Sequence, residues 1–219
     1  MIKAFDILLS FFFPARCPYC HKTIEYNQIA CDNCLAQFPE TYSQNYAKGG
    51  YPCCSPFFYK GIFRKGVRRF KFGDMPGNSV KLAEPLADCI RKAYDVKDID
   101  IITFVPMFPE KELDRGFNQS KLLARDLSKI LKIRFEMLLE KVKDNNPQHD
   151  CLTETQRRDN VKGVYKAVNS ENIKGKTVLI IDDVLTTGYT LGECCKQLEK
   201  KTKTKVLCAT LCAKNNIYT

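Results

Sequence analysis

The sequence predicts an α/β fold built on a parallel sheet and preceded by a small cysteine-rich domain. From Phe57 onward, apolar strand-like segments alternate with segments that have helical spacing, the order that a parallel sheet with crossover helices produces. Before that point, residues 14–50 lack such a period and are rich in Cys, Asn, Gln and Tyr. We therefore divide the chain into domains at 1–55 and 56–219.

The individual elements follow from the length and spacing of the apolar runs. Short apolar runs predict strands, and apolar residues at helical spacing predict helices. The polar segment Asp144–Gly163 contains Pro147 and shows no period, which predicts a long mobile loop. The predicted strands are Phe57–Phe63, Ile99–Val105, Val178–Ile181 and Val206–Leu211, and the predicted helices are Val80–Tyr94, Ser120–Ile133 and about Thr190–Lys200.

An apolar arm precedes the cysteine-rich segment. The run Ile7–Phe13 has only Lys3 upstream and no small-residue cleavage site after it, so it does not match a secretory signal. It is also shorter than the roughly 20 residues of a membrane-spanning helix. We expect no integral span and expect Ile2–Phe13 to pack on the protein's own surface, with peripheral membrane attachment as the alternative.

The charge balance is basic, with 35 Lys and Arg against 25 Asp and Glu and a net charge of +10 over 219 residues. This surplus favours an anionic partner, such as nucleic acid, a phosphorylated metabolite or an anionic membrane surface. The alternative is that the charge only keeps the protein in solution. With 44% hydrophobic residues, the composition excludes the intrinsically disordered class.

The segment Val178–Thr190, VLIIDDVLTTGYT, has the pattern of a phosphate-binding turn. Its apolar strand ends at Asp182 and Asp183, and open α/β sheets bind ligands at that edge. The carboxylates can bind ribose hydroxyls or hydrated Mg²⁺, which indicates a sugar phosphate. Gly188 and the amides of the following helix suit an anion. The residues assigned to phosphate are Thr186, Thr187, Gly188, Tyr189 and Thr190.

This order of residues resembles the signature of type I phosphoribosyltransferases. The resemblance implies that fold and a site for phosphoribosyl pyrophosphate with Mg²⁺. Tyr189 departs from the small residue usual at its position, and we expect its ring to narrow the site. An ordinary strand–turn–helix with two surface aspartates is the alternative.

The cysteine-rich segment carries two CxxC pairs, Cys17 with Cys20 and Cys31 with Cys34. Each pair can direct two thiolates at one ion, and together they predict a tetrahedral zinc site. The metal would hold together a segment with too little apolar content to fold alone. A redox CxxC and a finger that has lost its metal are the alternatives. The remaining cysteines form no second set of knuckles, and most are expected in the core: Cys53, Cys54, Cys89, Cys151, Cys194, Cys195, Cys208 and Cys212.

The loop Val105–Gln119 begins at the carboxyl end of a predicted strand, at the same sheet edge as the phosphate turn. There Lys111 and Arg115 can neutralise a pyrophosphate, and Gly116 can relieve the turn into the next helix. A charged surface loop is the alternative interpretation.

The segment Phe57–Phe72 interleaves aromatic and basic residues. Aromatic faces stack on unpaired bases and cations follow the phosphate backbone, a combination that suits single strands. The alternative is a strand whose aromatics face the core, because Phe70 and Phe72 alternate as a buried strand would. The candidate nucleic-acid contacts are Lys60, Arg64, Lys65, Arg68, Arg69 and Lys71.

Taken together, these segments resemble the ComF family, and in particular ComFC-type competence proteins with a zinc finger before a phosphoribosyltransferase domain. The family implies a cytoplasmic protein of natural transformation that handles incoming single-stranded DNA alongside a helicase. Many members carry a second pair of knuckles, of which only Cys53-Cys54 remains here, so we expect a shortened finger domain. Besides the CxxC pairs, the resemblance depends on RRFKFGD (Arg68–Asp74), VP…RGFNQS (Val105–Ser120), Pro147–Tyr165 and VLIIDDVLTTGYT.

The resemblance also implies roles for single residues. Asp182 and Asp183 would be the catalytic acids that bind ribose and Mg²⁺, and the turn after them would wrap the 5-phosphate. Lys111 and Arg115 would line the pyrophosphate loop. A flexible loop that closes over the site would contain Gln148, Arg157 and Arg158.

We therefore expect a competence protein that binds single-stranded DNA and carries a site for phosphoribosyl pyrophosphate and Mg²⁺. The alternative is an active phosphoribosyltransferase that transfers phosphoribose to a base or amine. A third possibility is a structural role in which the finger docks a protein partner, such as a competence helicase.

Overall fold

The structure is a computed structural model that describes residues 14–73, 75–145 and 153–214. The arm Ile2–Phe13, Gln148 and Cys151 lie outside these residues. Among the helices within them, none has the length and apolar character needed to cross a bilayer.

In the described part of the chain, seven strands form one sheet in the order β1-β2-β9-β8-β4-β5, with β3 paired to β9. Every pairing in it is parallel except β1 with β2, so the predicted α/β class is confirmed. A separate antiparallel ribbon joins β6 to β7. The strands are β1 Ser43–Ala47, β2 Tyr51–Ser55, β3 Phe57–Phe58, β4 Ile101–Phe104, β5 Arg134–Phe135, β6 Leu139–Lys141, β7 Tyr165–Ala167, β8 Thr177–Leu185 and β9 Lys205–Ala213.

Helices cover both faces of this sheet. Because successive side chains of a strand point to opposite faces, Leu179 and Ile181 join one apolar cluster while Val178 and Ile180 join the other. The helices are α1 Asp32–Leu35, α2 Gly61–Phe72, α3 Ser79–Ala93, α4 Pro109–Arg115, α5 Gln119–Leu131, α6 Glu154–Val161 and α7 Tyr189–Thr202. Short 3₁₀ turns lie at Pro76–Asn78, Val96–Asp98 and Ser170–Ile173.

The cysteines outside the CxxC pairs are buried wherever the structure describes them, as expected. Cys53 pairs in register with Cys208 across β2 and β9, and Cys195 lies 3.4 Å from Cys208 between their sulfur atoms. These residues act as small apolar groups of the core.

Four sequence predictions about secondary structure are wrong, and one of them is the loop Val105–Gln119, which contains the helix α4. The predicted strand Phe57–Phe63 is strand only at Phe57–Phe58, and α2 follows it. The apolar residues of α2 form its buried face. The alternation of Phe70 and Phe72 in the sequence is typical of a strand, so the helix was not predicted.

The predicted loop Asp144–Gly163 also contains the helix α6. A capping box holds its start, in which the Thr153 hydroxyl accepts from the Gln156 N–H and the Gln156 side chain accepts from the Thr153 N–H. The fourth correction concerns β8, which continues past Ile181 to Leu185. Asp182 therefore pairs with Thr210 inside the ladder instead of following the strand.

The segment before residue 56 contributes β1 and β2 to the sheet, because β2 pairs in parallel with β9. The turn between β1 and β2 thereby reaches the carboxyl edge of β8. The division of the chain between residues 55 and 56 stays a prediction.

Candidate functional site

The four cysteines of the CxxC pairs form one cluster. Their sulfur atoms all lie within 4.8 Å of one another, and no other such group of Cys, His, Asp and Glu occurs among the described residues. A tetrahedral zinc ion with Zn–S bonds of about 2.3 Å requires sulfur atoms about 3.8 Å apart, so the cluster fits this ion. It consists of Cys17, Cys20, Cys31 and Cys34.

Backbone hydrogen bonds in the two CxxC segments favour the thiolate form of one cysteine, which is the form that binds a metal. Burial raises the pKa of Cys17, but hydrogen bonds from the backbone of Cys31, Cys20 and Tyr19 outweigh it and bring this pKa to about 7. Burial raises the pKa of Cys34. The cluster can therefore hold a metal ion, which would favour the thiolate form of every ligand.

The cysteine cluster packs directly on the basic helix α2. Tyr19 is buried, and its ring makes edge contacts with Phe57 and Phe63 at centroid distances of 5.8 and 5.6 Å. A Cβ on Gly66 would lie 3.0 Å from the Tyr19 ring and 3.3 Å from the Pro18 carbonyl oxygen, so the lack of a side chain there lets the knuckle lie close against α2. The Arg69 guanidinium also donates to the Tyr19 carbonyl. The knuckle thus fixes the position of α2.

Two acids lie near the carboxyl end of β8, of which Asp183 is buried and Asp182 is half-buried. The Ser120 hydroxyl donates to Asp182 Oδ1 at 2.8 Å, and the Lys71 ammonium pairs with Asp183 Oδ2 at 2.7 Å. Burial raises the pKa of Asp182 to about 7, and the charge of Asp183 adds to the rise while Lys71 and Ser120 oppose it. Burial lowers the pKa of Lys71, but the charge of Asp183 and its hydrogen bond to the ammonium raise it by more. The pKa of Lys71 is therefore above its ordinary value.

The phosphate turn joins β8 to α7. Gly188 precedes this helix in the left-handed conformation, with φ of +76°. A Cβ there would lie 3.0 Å from the Lys48 nitrogen, and the Lys48 N–H donates to the Gly188 carbonyl at 3.2 Å. The contact with the β1–β2 turn therefore requires glycine at position 188. This requirement is separate from the close approach of an anion to the same backbone. Thr186, Thr187 and Thr190 are half-buried around the same turn.

Tyr189 is part of a contact between three distant segments. Its hydroxyl donates to Glu154 Oε1 at 2.7 Å, and the Lys48 ammonium pairs with the same oxygen at 2.6 Å. This ammonium also lies 5.1 Å from the centroid of the Tyr189 ring. The turn after β1, the start of α6 and the start of α7 are thereby joined beside the phosphate turn.

The candidate pyrophosphate residues lie on α4, after β4. The Lys111 ammonium pairs with Asp144 Oδ1 at 2.6 Å. The Arg115 guanidinium donates to Gln119 Oε1 at 2.8 Å and stacks on Phe72 at 5.1 Å. β4 is a direct neighbour of β8, so α4 follows at the same sheet edge, but no contact joins either residue to the acids of β8.

Of the predicted flexible loop, Arg157 and Arg158 lie on α6. Arg158 pairs with Asp159 at 3.1 Å, and Arg157 follows Glu154 by one helical turn.

The candidate nucleic-acid residues separate into two groups. Arg69 and Lys71 are half-buried and contact the cysteine knuckle and Asp183, respectively. Phe72, 68% exposed, ends α2, and Phe58, 37% exposed, precedes it with the Lys60 ammonium 5.6 Å from its ring centroid. The remaining candidate residues are exposed and form no ion pair with a described residue; we call them the outer face of α2: Lys60, Arg64, Lys65 and Arg68.

Several residues at the carboxyl edge of the sheet could not be predicted from the sequence. Ser120 ends the RGFNQS segment, but nothing in the sequence indicates that it reaches Asp182. Lys48 and Glu154 lie far apart in sequence and carry no motif. The glycine pair at 49–50, which predicts a turn, is the only local signal near Lys48.

Comparisons with known proteins find similar sequences over most of the chain. A family model described as phosphoribosyl transferase domain matches residues 118–218, which include both acids and the phosphate turn. Competence protein F of Haemophilus influenzae is 31% identical over 189 residues, covering 84% of this chain and 78% of that protein. DNA utilization protein YhgH of Escherichia coli O6:H1 is 28% identical, with coverage of 89% and 84%. Competence protein ComFC of Bacillus subtilis is 25% identical, with coverage of 68% and 58%.

Proposed function

The chain belongs to the ComF family of competence proteins, and on this premise we propose that it acts in natural transformation by binding single-stranded DNA. The proposal places it in the cytoplasm, with peripheral attachment at the inner membrane as a variant. A competence helicase or another DNA-uptake protein is its proposed protein partner. The names of the relatives, competence protein and DNA utilization protein, support this role.

The outer face of α2 carries the DNA-binding proposal. Four exposed cations lie there without an ion pair to a described residue, and exposed Phe58 and Phe72 flank them. Unneutralised cations attract the phosphate backbone, and aromatic faces stack on unpaired bases. The net charge of +10 adds long-range attraction for any polyanion.

The second part of the proposal is a site for phosphoribosyl pyrophosphate with Mg²⁺ at the carboxyl edge of β8. The turn from Thr186 to Thr190 would receive the 5-phosphate at the start of α7. Asp182 and Asp183 offer the carboxylate oxygens that Mg²⁺ and ribose hydroxyls prefer. When bound, Mg²⁺ would neutralise part of the pyrophosphate charge. Lys111 and Arg115 are the proposed pyrophosphate residues.

The proposed ion of the cysteine cluster is zinc, with a structural role. Four sulfur atoms within 4.8 Å of one another match a closed four-thiolate site. The metal would supply folding energy to the knuckles, and through Tyr19 it would fix the position of α2.

An active phosphoribosyltransferase is the second candidate function. In such a transfer, the protein stabilises negative charge on the leaving pyrophosphate and positive charge at the anomeric carbon. The neighbouring carboxylates of Asp182 and Asp183 favour this candidate because they can face a developing cation. Release of pyrophosphate in the presence of a base or amine would establish it.

One experiment tests both parts of the main proposal. Thermal melting of the full zinc-loaded chain is recorded with phosphoribosyl pyrophosphate and Mg²⁺, with oligothymidine, and with both. A ligand at 100 times its dissociation constant stabilises the folded state by about 2.7 kcal/mol, so each ligand alone should raise the melting temperature. Binding of both at separate sites should give a larger shift than either alone.

The DNA-binding part and the sugar-phosphate part of the proposal can be disproved independently. If millimolar phosphoribosyl pyrophosphate gives no shift, the sugar-phosphate site is not functional. If oligothymidine gives no shift and shows no salt-dependent binding, the DNA-binding proposal is wrong. If the two ligands displace each other, they share one site, and the assignment of DNA to the outer face of α2 must be revised.

A further inference from the structure

A cavity of about 410 Å³ opens beside the carboxyl end of β9, between that strand and the start of α2. Backbone hydrogen bonds fix its walls. The Tyr59 N–H donates to the Ala213 carbonyl at 2.7 Å, and the Lys214 N–H donates to the Leu185 carbonyl at 2.9 Å. Because Leu185 ends β8, the cavity lies at the sheet edge that carries the phosphate turn. Its volume is within the range of about 300–1,000 Å³ typical of small-ligand sites.

The lining combines one aromatic ring with three cations and no acid. The Arg64 guanidinium lies 6.0 Å from the centroid of the Tyr59 ring. Lys60, Arg64 and Lys214 form no ion pair with a described residue, in contrast to the lysines beside the phosphate turn. Three positive charges around a concave surface favour a ligand with more than one negative charge. The ring adds a face on which a planar group can stack.

A nucleotide carries both of the groups that this lining favours, a negatively charged phosphate and a planar base. We propose that the cavity binds one nucleotide unit of a single strand, with the base against Tyr59 and the adjoining phosphates on Lys60, Arg64 and Lys214. This inference rests on the single-strand binding proposed above. It places one base of the strand bound on the outer face of α2 inside the cavity. It adds Lys214, which lies 150 residues from Arg64 in sequence and reaches the cavity only through the pairing of β3 with β9.

Binding of labelled oligothymidine to the full zinc-loaded chain tests this assignment. We expect Lys214→Ala to weaken binding about threefold to tenfold and to reduce the salt slope by about 0.7, the value for one phosphate contact on a single strand. Tyr59→Leu should weaken binding at least about fivefold because stacking is lost, and Tyr59→Phe should restore it.

Lys205→Ala is the matched control, because Lys205 is exposed at the opposite end of the same strand, roughly 25–30 Å away. It should leave affinity and salt slope close to those of the unmodified protein. Melting temperatures of all variants without DNA establish that each one folds.

The outcomes separate this inference from the proposal on which it rests. If Arg64→Ala with Arg68→Ala weakens binding while Lys214→Ala and Tyr59→Leu do not, the cavity assignment is wrong and the DNA-binding function stands. If the unmodified protein binds no oligothymidine, both are wrong. Thymidine monophosphate serves as the free-nucleotide probe. If it binds as tightly as the oligonucleotide and depends on Lys214, the cavity is a free-nucleotide site and the strand assignment is overturned.

Discussion

The cations beside the phosphate turn and those on the outer face of α2 differ in their partners. Near the turn, three lysines face a carboxylate: Lys71 with Asp183 at 2.7 Å, Lys48 with Glu154 at 2.6 Å and Lys111 with Asp144 at 2.6 Å. On the outer face of α2, the cations have no carboxylate partner among the described residues.

This difference separates two modes of anion binding. An unneutralised surface attracts any polyanion, so its affinity should fall steeply with salt. A neutralised pair responds only to a ligand that offers enough charge and geometry to replace the carboxylate. The outer face of α2 therefore suits a phosphate backbone, and the turn suits one compact sugar phosphate.

Loss of the metal should affect the outer face of α2 far more than the phosphate turn. Structural zinc contributes about 10–16 kcal/mol of apparent binding free energy in finger peptides, so we expect Cys31→Ser to lower the melting temperature by more than about 10 °C. Because Tyr19 holds α2, affinity for single strands should fall as well. Metal analysis, melting and DNA binding measure the three effects.

Cys89→Ala is the control for this change, since Cys89 is buried on α3 outside the cluster. It should retain the metal and full DNA affinity. A Cys31→Ser protein that still melts at the original temperature would show that the cluster holds no structural metal.

Asp183→Asn should affect only the phosphate turn. The substitution leaves Lys71 without its charged partner, and we expect a loss of about 1–3 kcal/mol in the free energy of unfolding. The thermal shift caused by phosphoribosyl pyrophosphate and Mg²⁺ should disappear, while affinity for oligothymidine stays within about twofold.

Asp159→Asn provides the comparison, because Asp159 pairs with Arg158 on the exposed surface of α6. Its stability should change by less than about 0.5 kcal/mol, and its ligand shift should remain. A ligand shift that survives in Asp183→Asn would remove this acid from the site.

Arg64→Ala with Arg68→Ala should affect the outer face of α2 and the cavity that Arg64 lines, but not the phosphate turn. We expect affinity for oligothymidine to fall about tenfold at 0.15 M salt and the salt slope to fall by about 1.4, since two phosphate contacts are lost. The shift with phosphoribosyl pyrophosphate should not change. Lys97→Ala with Lys205→Ala removes the same charge at the amino edge of the sheet and is the control. Equal losses in both double variants would mean that only net charge matters.

Glu154→Gln should remove one carboxylate that competes with an anionic ligand at the phosphate turn. It removes the carboxylate that accepts from Lys48 and Tyr189, so a phosphate no longer competes with it. Exposed ion pairs contribute about 0.2–1 kcal/mol, and we expect affinity for phosphoribosyl pyrophosphate to rise about twofold to fivefold. Calorimetric titration measures the change. Glu140→Gln breaks a similar exposed pair with Lys166 and should have no effect. A fall in affinity would show that Glu154 assists the ligand.

The sequence predicted the elements whose apolar period is unambiguous. Ile101–Phe104 and Lys205–Ala213 lie where strands were expected, and Gln119–Leu131 lies where a helix was expected. It failed at Gly61–Phe72 because aromatic and basic residues alternate along part of a helix whose buried face becomes evident only from its neighbours. It failed at Glu154–Val161 because that helix is mostly polar and begins at a capping box instead of an apolar run.

The α/β class, the grouping of the four cysteines and the segment that contains the two acids can all be predicted without a structure. These features depend on local spacing, which fixes the direction of nearby side chains. Tertiary structure decided which cation meets which carboxylate. Lys48 and Glu154 are 106 residues apart, and Ser120 and Asp182 are 62 apart. Such contacts depend on the order of strands in the sheet, and a local pattern carries no information about that order.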